Sequence, residues 1–75
     1  MPRIILGAGS AQLLLDVPMI PNVGDEIATV PERVLGYTSN GCLMVGDTFL
    51  LISDKVEMIN EEEIHRFGVK NTKPI

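Results

Sequence analysis

Few side chains in this 75-residue chain are of a type and spacing that suits chemistry, and each is answered by a plainer structural role. Ile4-Ile5-Leu6 followed by Gly7-Ala8-Gly9-Ser10 has the opening of a dinucleotide-binding turn, in which glycines let the backbone approach a pyrophosphate. The third glycine position is Gln12, and Pro18 interrupts the segment before a crossover helix could form, so a hairpin loop is expected instead. The amides of that loop remain able to cradle an anion as a backbone nest, with Arg66 or Arg33 supplying positive charge. Gly7, Ala8, Gly9, Ser10 and Arg66 are therefore one candidate site, for a small anionic or nucleotide-like ligand.

His65 has the chemistry of a general base, yet it stands among Glu61, Glu62, Glu63 and Arg66 with no serine or cysteine nearby in sequence to activate. A solvated histidine is the expectation. The three glutamates fan out around a helix axis and do not converge on a cation; a single cysteine, Cys42, with one histidine makes no metal-site spacing. No metal and no cofactor are expected. Asp25 and Asp47 would form a carboxylate pair only if two halves of the chain met about a twofold, and each is expected to bond its own turn. An enzyme would need a site assembled between subunits from Asp25, Asp47 or His65, and the expectation is a non-enzyme. Cys42 has no adjoining cation to lower its pKa, which leaves it a core filler. Arg33 and Tyr37 share a strand face, and Met44 joins them across an expected hairpin. Arginine, tyrosine and methionine are enriched in binding patches, so Arg33, Tyr37 and Met44 are the candidate protein-binding face.

The elements that must position these residues read as strands. Residues 3–6 and 11–17 predict an N-terminal hairpin, and Pro18 and Pro21 bracket an extended connection. Further strands are expected over 26–30, 33–38, 42–45, 48–52 and 56–59. Asn40-Gly41 suits a type I′ turn that would set Tyr37 opposite Met44. Asn60 with Glu63 three residues on has the form of a helix N-cap and capping box, and Gly68 suits a C-cap, so a short helix carrying Ile64 and Phe67 on one face is expected. Residues 69–75 are expected to form a flexible tail beyond a single domain over 1–68.

Val23-Gly24-Asp25 recurs 22 residues later as Val45-Gly46-Asp47, and Ile27 aligns with Phe49, Val30 with Ile52 and Val34 with Val56. Two such units predict a duplicated hairpin. The expected fold is mainly β: a small antiparallel SH3-like or partly open β-barrel of two related hairpin units with a short C-terminal helix.

A chain this short buries a modest fraction of its surface, and with one cysteine it has no internal disulfide to compensate. Association is the remaining route. Leu13-Leu14-Leu15 and Phe49-Leu50-Leu51-Ile52 carry apolar side chains on both strand faces, which also points to contact surfaces and a homo-oligomer. A net charge of −4 and a pI near 4.7 argue against nucleic acid and anionic lipid as partners. No apolar run reaches the length of a membrane span and no secretory signal pattern opens the sequence, so a cytoplasmic location is expected. The expected function is that of a non-catalytic binding or regulatory protein acting through protein contacts. Small acidic chains of this kind are often inhibitors or accessory proteins of viruses and mobile elements.

Overall fold

Six strands, β1 (Arg3–Ala8), β2 (Ala11–Asp16), β3 (Glu26–Ala28), β4 (Val34–Tyr37), β5 (Thr48–Ile59) and β6 (Glu62–Asn71), form one sheet in the order β3-β5-β6-β1-β2-β4. This computed structural model describes residues 1–38 and 43–72. The sheet curls into half a barrel around a core of Ile4, Leu6, Leu13, Leu15, Phe49, Leu51, Phe67 and Val69. All pairings are antiparallel except β1 with β6, which sets Leu6 beside Phe67. With neighbours on both edges, β1 tolerates the continuous apolar run Ile4-Ile5-Leu6, whose members are all buried.

The β1–β2 hairpin forms as the residues dictate. Gly9 and Ser10 alone separate the paired Ala8 and Ala11, and Gly9 takes φ 62 at the first central position, as a type II′ turn requires. Leu13, Leu15 and Val17 face the core, while Leu14 lies opposite Ile5 on the outer face.

The 22-residue repeat has a structural counterpart, though a narrower one than two hairpins. Gly24 and Gly46 take nearly equal φ values of 98° and 102°, and each closes a turn in which the Asp25 or Asp47 N–H donates to the carbonyl of Asn22 or Met44. Glycine at the third position with positive φ is the signature of a type II turn. The two turns then serve each other. Gly24 N–H donates to Leu51 C=O and Gly46 N–H to Thr29 C=O; Leu51 N–H returns to Asp25 C=O and Thr29 N–H to Asp47 C=O. Every one of these bonds maps onto its mate by a shift of 22 residues with the units exchanged. The β3–β5 register obeys the same rule, because Ile27 pairs with its own repeat-mate Phe49. A local pseudo-twofold therefore passes between Ile27 and Phe49. Past Thr29 the copies diverge: one enters a 3₁₀ turn at Pro31–Arg33 and joins β2 as β4, while the other runs on as the long β5. The repeat-mates pair with each other and do not each form a hairpin.

The expected helix over 60–68 is absent. Asn60 and Glu61 form a two-residue turn between the paired Ile59 and Glu62, with φ values of 51° and 65°, and β6 follows at once. As a strand, the segment sends Phe67 and Val69 to the core and Ile64 and Arg66 to the other face, where a helix would have put Ile64 and Phe67 together. Pairing with both β5 and β1 satisfies the backbone and buries Phe67 completely, which outweighs a cap worth about 1 kcal/mol. Residues 69–71, expected in a tail, belong to β6 for the same reason. Val69 is a core residue, β6 runs through Asn71, and Thr72 N–H donates to Thr48 C=O.

Residues 43–45 form no strand. Leu43 is buried and Met44 begins the second type II turn, its carbonyl accepting from Asp47 N–H and from the Thr29 hydroxyl, so β4 gains no hairpin partner from residues 43–45 and among the described residues pairs with β2. The Asn40-Gly41 turn and Cys42 lie outside the described residues.

Positive φ at both central positions is what a type I′ turn demands, and Glu61 is an unfavourable occupant of the second. Glu61→Gly is expected to stabilise the protein by about 1 kcal/mol, a rise in melting temperature of roughly 4–8 °C for a domain of this size. Thermal denaturation followed by circular dichroism reads it directly.

Candidate functional site

The alternation of β1, β2, β4 and β6 leaves the outer face of the sheet with a mixed surface. At one end Ile5, Leu14, Gly36, Tyr37 and Thr38 line a mostly apolar recess of about 290 Å³. A side-chain atom added at Gly36 would meet nothing within 4 Å, so this stretch of β4 leaves Leu14 partly uncovered. Tyr37 is 64% exposed at the rim, where Thr38 is held by Gln12: Thr38 N–H donates to Gln12 C=O and Gln12 N–H to the Thr38 hydroxyl oxygen.

Arg33 and Met44 are not part of this recess. Arg33 ends the 3₁₀ turn and Met44 opens the second type II turn, so of the expected Arg33, Tyr37 and Met44 face only Tyr37 lines the pocket, beside Ile5 and Leu14. The sequence signal for the true neighbour was the outward Leu14 in Leu13-Leu14-Leu15.

At the other end of the same face a second recess of about 250 Å³ is lined by Gly7, Gly9, Gln12, Ser53, Lys55, Arg66 and Gly68, with Phe67. Gly7, Gly9 and Arg66 of the expected anion site thus meet, whereas Ala8 and Ser10 are not in the lining. No continuous nest of amides spans the glycine run, because Gly7 and Ala8 are strand residues paired with Gln12 and Ala11. Lys55 joins by pairing opposite Arg66 across β5 and β6. Nothing in the local sequence reveals that pairing, since it depends on the β5–β6 register.

Electrostatics limit what this recess offers an anion. Arg66 donates from Nε and Nη2 to the two Glu57 carboxylate oxygens, both at 3.1 Å, and Lys55 Nζ lies 3.8 Å from the same carboxylate. The Arg66 hydrogen bonds hold the Glu57 carboxyl below its ordinary value of 4.5, against the opposing effect of desolvation and with the further help of the Arg66 and Lys55 charges. Glu57 is accordingly ionised at neutral pH and takes up one of the two positive charges.

His65 departs from the solvated surface histidine of the sequence expectation. In β6 it is half-buried, its Nδ1 lies 3.0 Å from Asp54 Oδ1, and its ring stacks on Phe67 at a centroid distance of 5.9 Å. A carboxylate that orients an imidazole is one component of a hydrolytic triad, but His65 is shown with no serine or cysteine partner among the described residues. Asp25 Oδ2 accepts from Asn22 N–H within its own turn, as expected, whereas Asp47 Oδ2 accepts from the Asn71 side chain of β6. Among the described residues no three His, Cys, Asp or Glu side chains gather into a metal-binding group.

The third surface is an edge. β3 covers β5 only at Thr48–Leu50, and the turn at Gly24–Asp25 engages Leu51. From Ile52 to Ile59 no described strand pairs with the outer edge of β5, and Ile52, Val56 and Met58 are exposed there by 54, 47 and 68%. A strand with unpaired backbone groups and exposed apolar side chains is a template for another strand. Among the described residues no helix is long and apolar enough to cross a membrane.

No protein-family model matches this chain, and searches of curated proteins and of solved structures gave no match.

Proposed function

We propose that this chain is a non-catalytic binding protein of the inhibitor or accessory type, built on an SH3-like half-barrel, which acts in the cytoplasm as a homo-oligomer through protein–protein contacts. One observation carries the reading: a single copy leaves Ile52, Val56 and Met58 in water along the free length of β5, and Leu35 and Tyr37 in water on β4 at the other edge of the sheet. Burying such surface is the main favourable term in association, at about 25 cal/mol per Å². The Tyr37 recess, with its aromatic rim and apolar floor, is then the face offered to a different protein.

Light scattering over a concentration series tests this reading. The expected result is a mass that is a fixed multiple of the chain mass and persists on dilution into the low-micromolar range. A mass equal to one chain at every concentration would remove the homo-oligomer.

A second reading, a protein that sequesters a small anionic or nucleotide-like ligand, draws on the meeting of Gly7, Gly9, Lys55 and Arg66 in one recess. It is the weaker of the two because Glu57 already occupies Arg66. It requires a rise in melting temperature with added phosphate or nucleotide that Lys55→Ala abolishes. An enzyme with an intersubunit site would need a nucleophile delivered to His65 by another copy.

A further inference from the structure

We infer that a second copy of this chain pairs with the free edge of β5, antiparallel and in one register, with a twofold axis through Val56. The inference rests on the homo-oligomer reading and adds to it which surface is used and how.

Backbone geometry selects the residues. The two-residue turn at Asn60 and Glu61 is closed by Ile59 and Glu62, and in such a hairpin that closing pair exchanges both backbone hydrogen bonds. Bonded and non-bonded pairs alternate along an antiparallel ladder, so Ile59, Glu57 and Lys55 direct their N–H and C=O groups toward β6. Met58, Val56 and Asp54 direct theirs to the open edge. A twofold perpendicular to the sheet must map a residue onto itself, and a hydrogen-bonded centre must be one of these three.

Length then separates the three. The regular free edge begins at Ser53, because Leu51 N–H and C=O are taken by Asp25 and Gly24 and the β5 register shifts at Ile52, and it ends at Ile59, before the turn. Its midpoint is Val56. An axis there uses the whole edge, with Ser53 reaching Ile59 of the second copy, whereas an axis at Asp54 drives the second strand into the Gly24 turn and one at Met58 leaves half the edge unpaired.

Charge gives the same answer independently. With the axis at Val56, Lys55 stands opposite Glu57 of the second copy and Glu57 opposite Lys55, in non-bonded pairs where side chains approach most closely. Axes at Lys55 or Glu57 would set like charges face to face, and so would one at Asp54. On the opposite surface of the sheet Val56 meets Val56, and each Met58 covers an Asp54. The sequence Lys55-Val56-Glu57 is thus self-complementary about its centre. The product is a continuous sheet running through both copies, with Val56 and Met58 partly withdrawn from water.

Disulfide trapping tests the register. In a Cys42→Ser background, Val56→Cys is expected to form a covalent dimer under mild oxidation, since a hydrogen-bonded self-pair has Cα atoms about 5.5 Å apart, within disulfide reach. Met58→Cys, more exposed in one copy, is expected not to, because the two positions would lie about 14 Å apart. Val56→Pro removes only an edge-facing N–H and is expected to give a monomer with an unchanged circular dichroism spectrum. Should Val56→Pro disturb the fold, Lys55→Glu provides the alternative: two attractive pairs become repulsive, and the dimer dissociation constant is expected to rise by about tenfold or more. A wild-type oligomer in which Val56→Cys fails to cross-link, or which Val56→Pro leaves intact, would overturn the edge pairing and spare the homo-oligomer. A monomeric wild-type chain would overturn both.

Discussion

Phe49→Ala is expected to remove a large part of the protein's stability, and a far larger part than truncation of its repeat-mate Ile27 removes. Phe49 is 1% exposed in the main core and sits on β5, which joins β3 to the rest of the sheet. Truncating a buried phenylalanine costs about 3–5 kcal/mol, and a 75-residue domain has a total stability on the order of 4–11 kcal/mol. Ile27 lies directly across the pseudo-twofold, yet it is only half-buried and packs against the core from outside. Ile27→Ala is expected to cost about 1–2 kcal/mol, below the usual range for a fully buried isoleucine. Urea unfolding at one fixed protein concentration compares the two, the concentration being held because association adds to apparent stability. Equal losses would mean that the symmetry of the backbone extends to the packing, which the burial of the two residues contradicts.

The second large effect is expected from the paired turns. Gly24 and Gly46 hold φ near 100°, and an added Cβ at either would meet nothing within 4 Å. The penalty for Gly24→Ala or Gly46→Ala is therefore purely conformational, about 1–2 kcal/mol each. Because each turn hydrogen-bonds the strand that follows the other, the double variant is expected to lose less than the sum of the singles: once one turn has loosened, its mate holds less structure. The chain is short enough for chemical synthesis, which allows a sharper control. D-alanine prefers positive φ and is expected to be neutral or stabilising by up to about 1 kcal/mol at either site. A loss with D-alanine as large as with L-alanine would locate the constraint in space and not in the backbone.

Much of this architecture was legible residue by residue. The β1–β2 hairpin, the glycine turn between its strands and the mainly β character follow from alternation and turn chemistry over a few neighbouring positions. The Val-Gly-Asp repeat announced two like turns, and both glycines take the positive φ that made them glycine. The repeat did not say that the units would face each other, because the exchange of bonds between Gly24, Leu51, Gly46 and Thr29 is a long-range arrangement.

The candidate sites divide along the same line. Gly7, Gly9 and Arg66 line one recess without Ala8 and Ser10, whereas Tyr37 lines a recess without Arg33, which ends a 3₁₀ turn, or Met44, which opens a type II turn where a strand was expected. His65 and Asp54 become partners only through the β5–β6 register, 11 residues apart in sequence.

Several features whose energy is local were readable from the sequence: the strands of β1 and β2, the turns at Gly9 and Gly24, and an excess of apolar side chains over what one small core takes up. Tertiary structure alone decided the fate of residues 60–71. Asn60, Glu63 and Gly68 carry good helix-end chemistry, worth about 1 kcal/mol per cap. Placing the same residues between β5 and β1 satisfies the backbone of β6 and buries Phe67 and Val69, each side chain contributing about 1.5–3 kcal/mol, and that larger sum exists only once the other strands are in place.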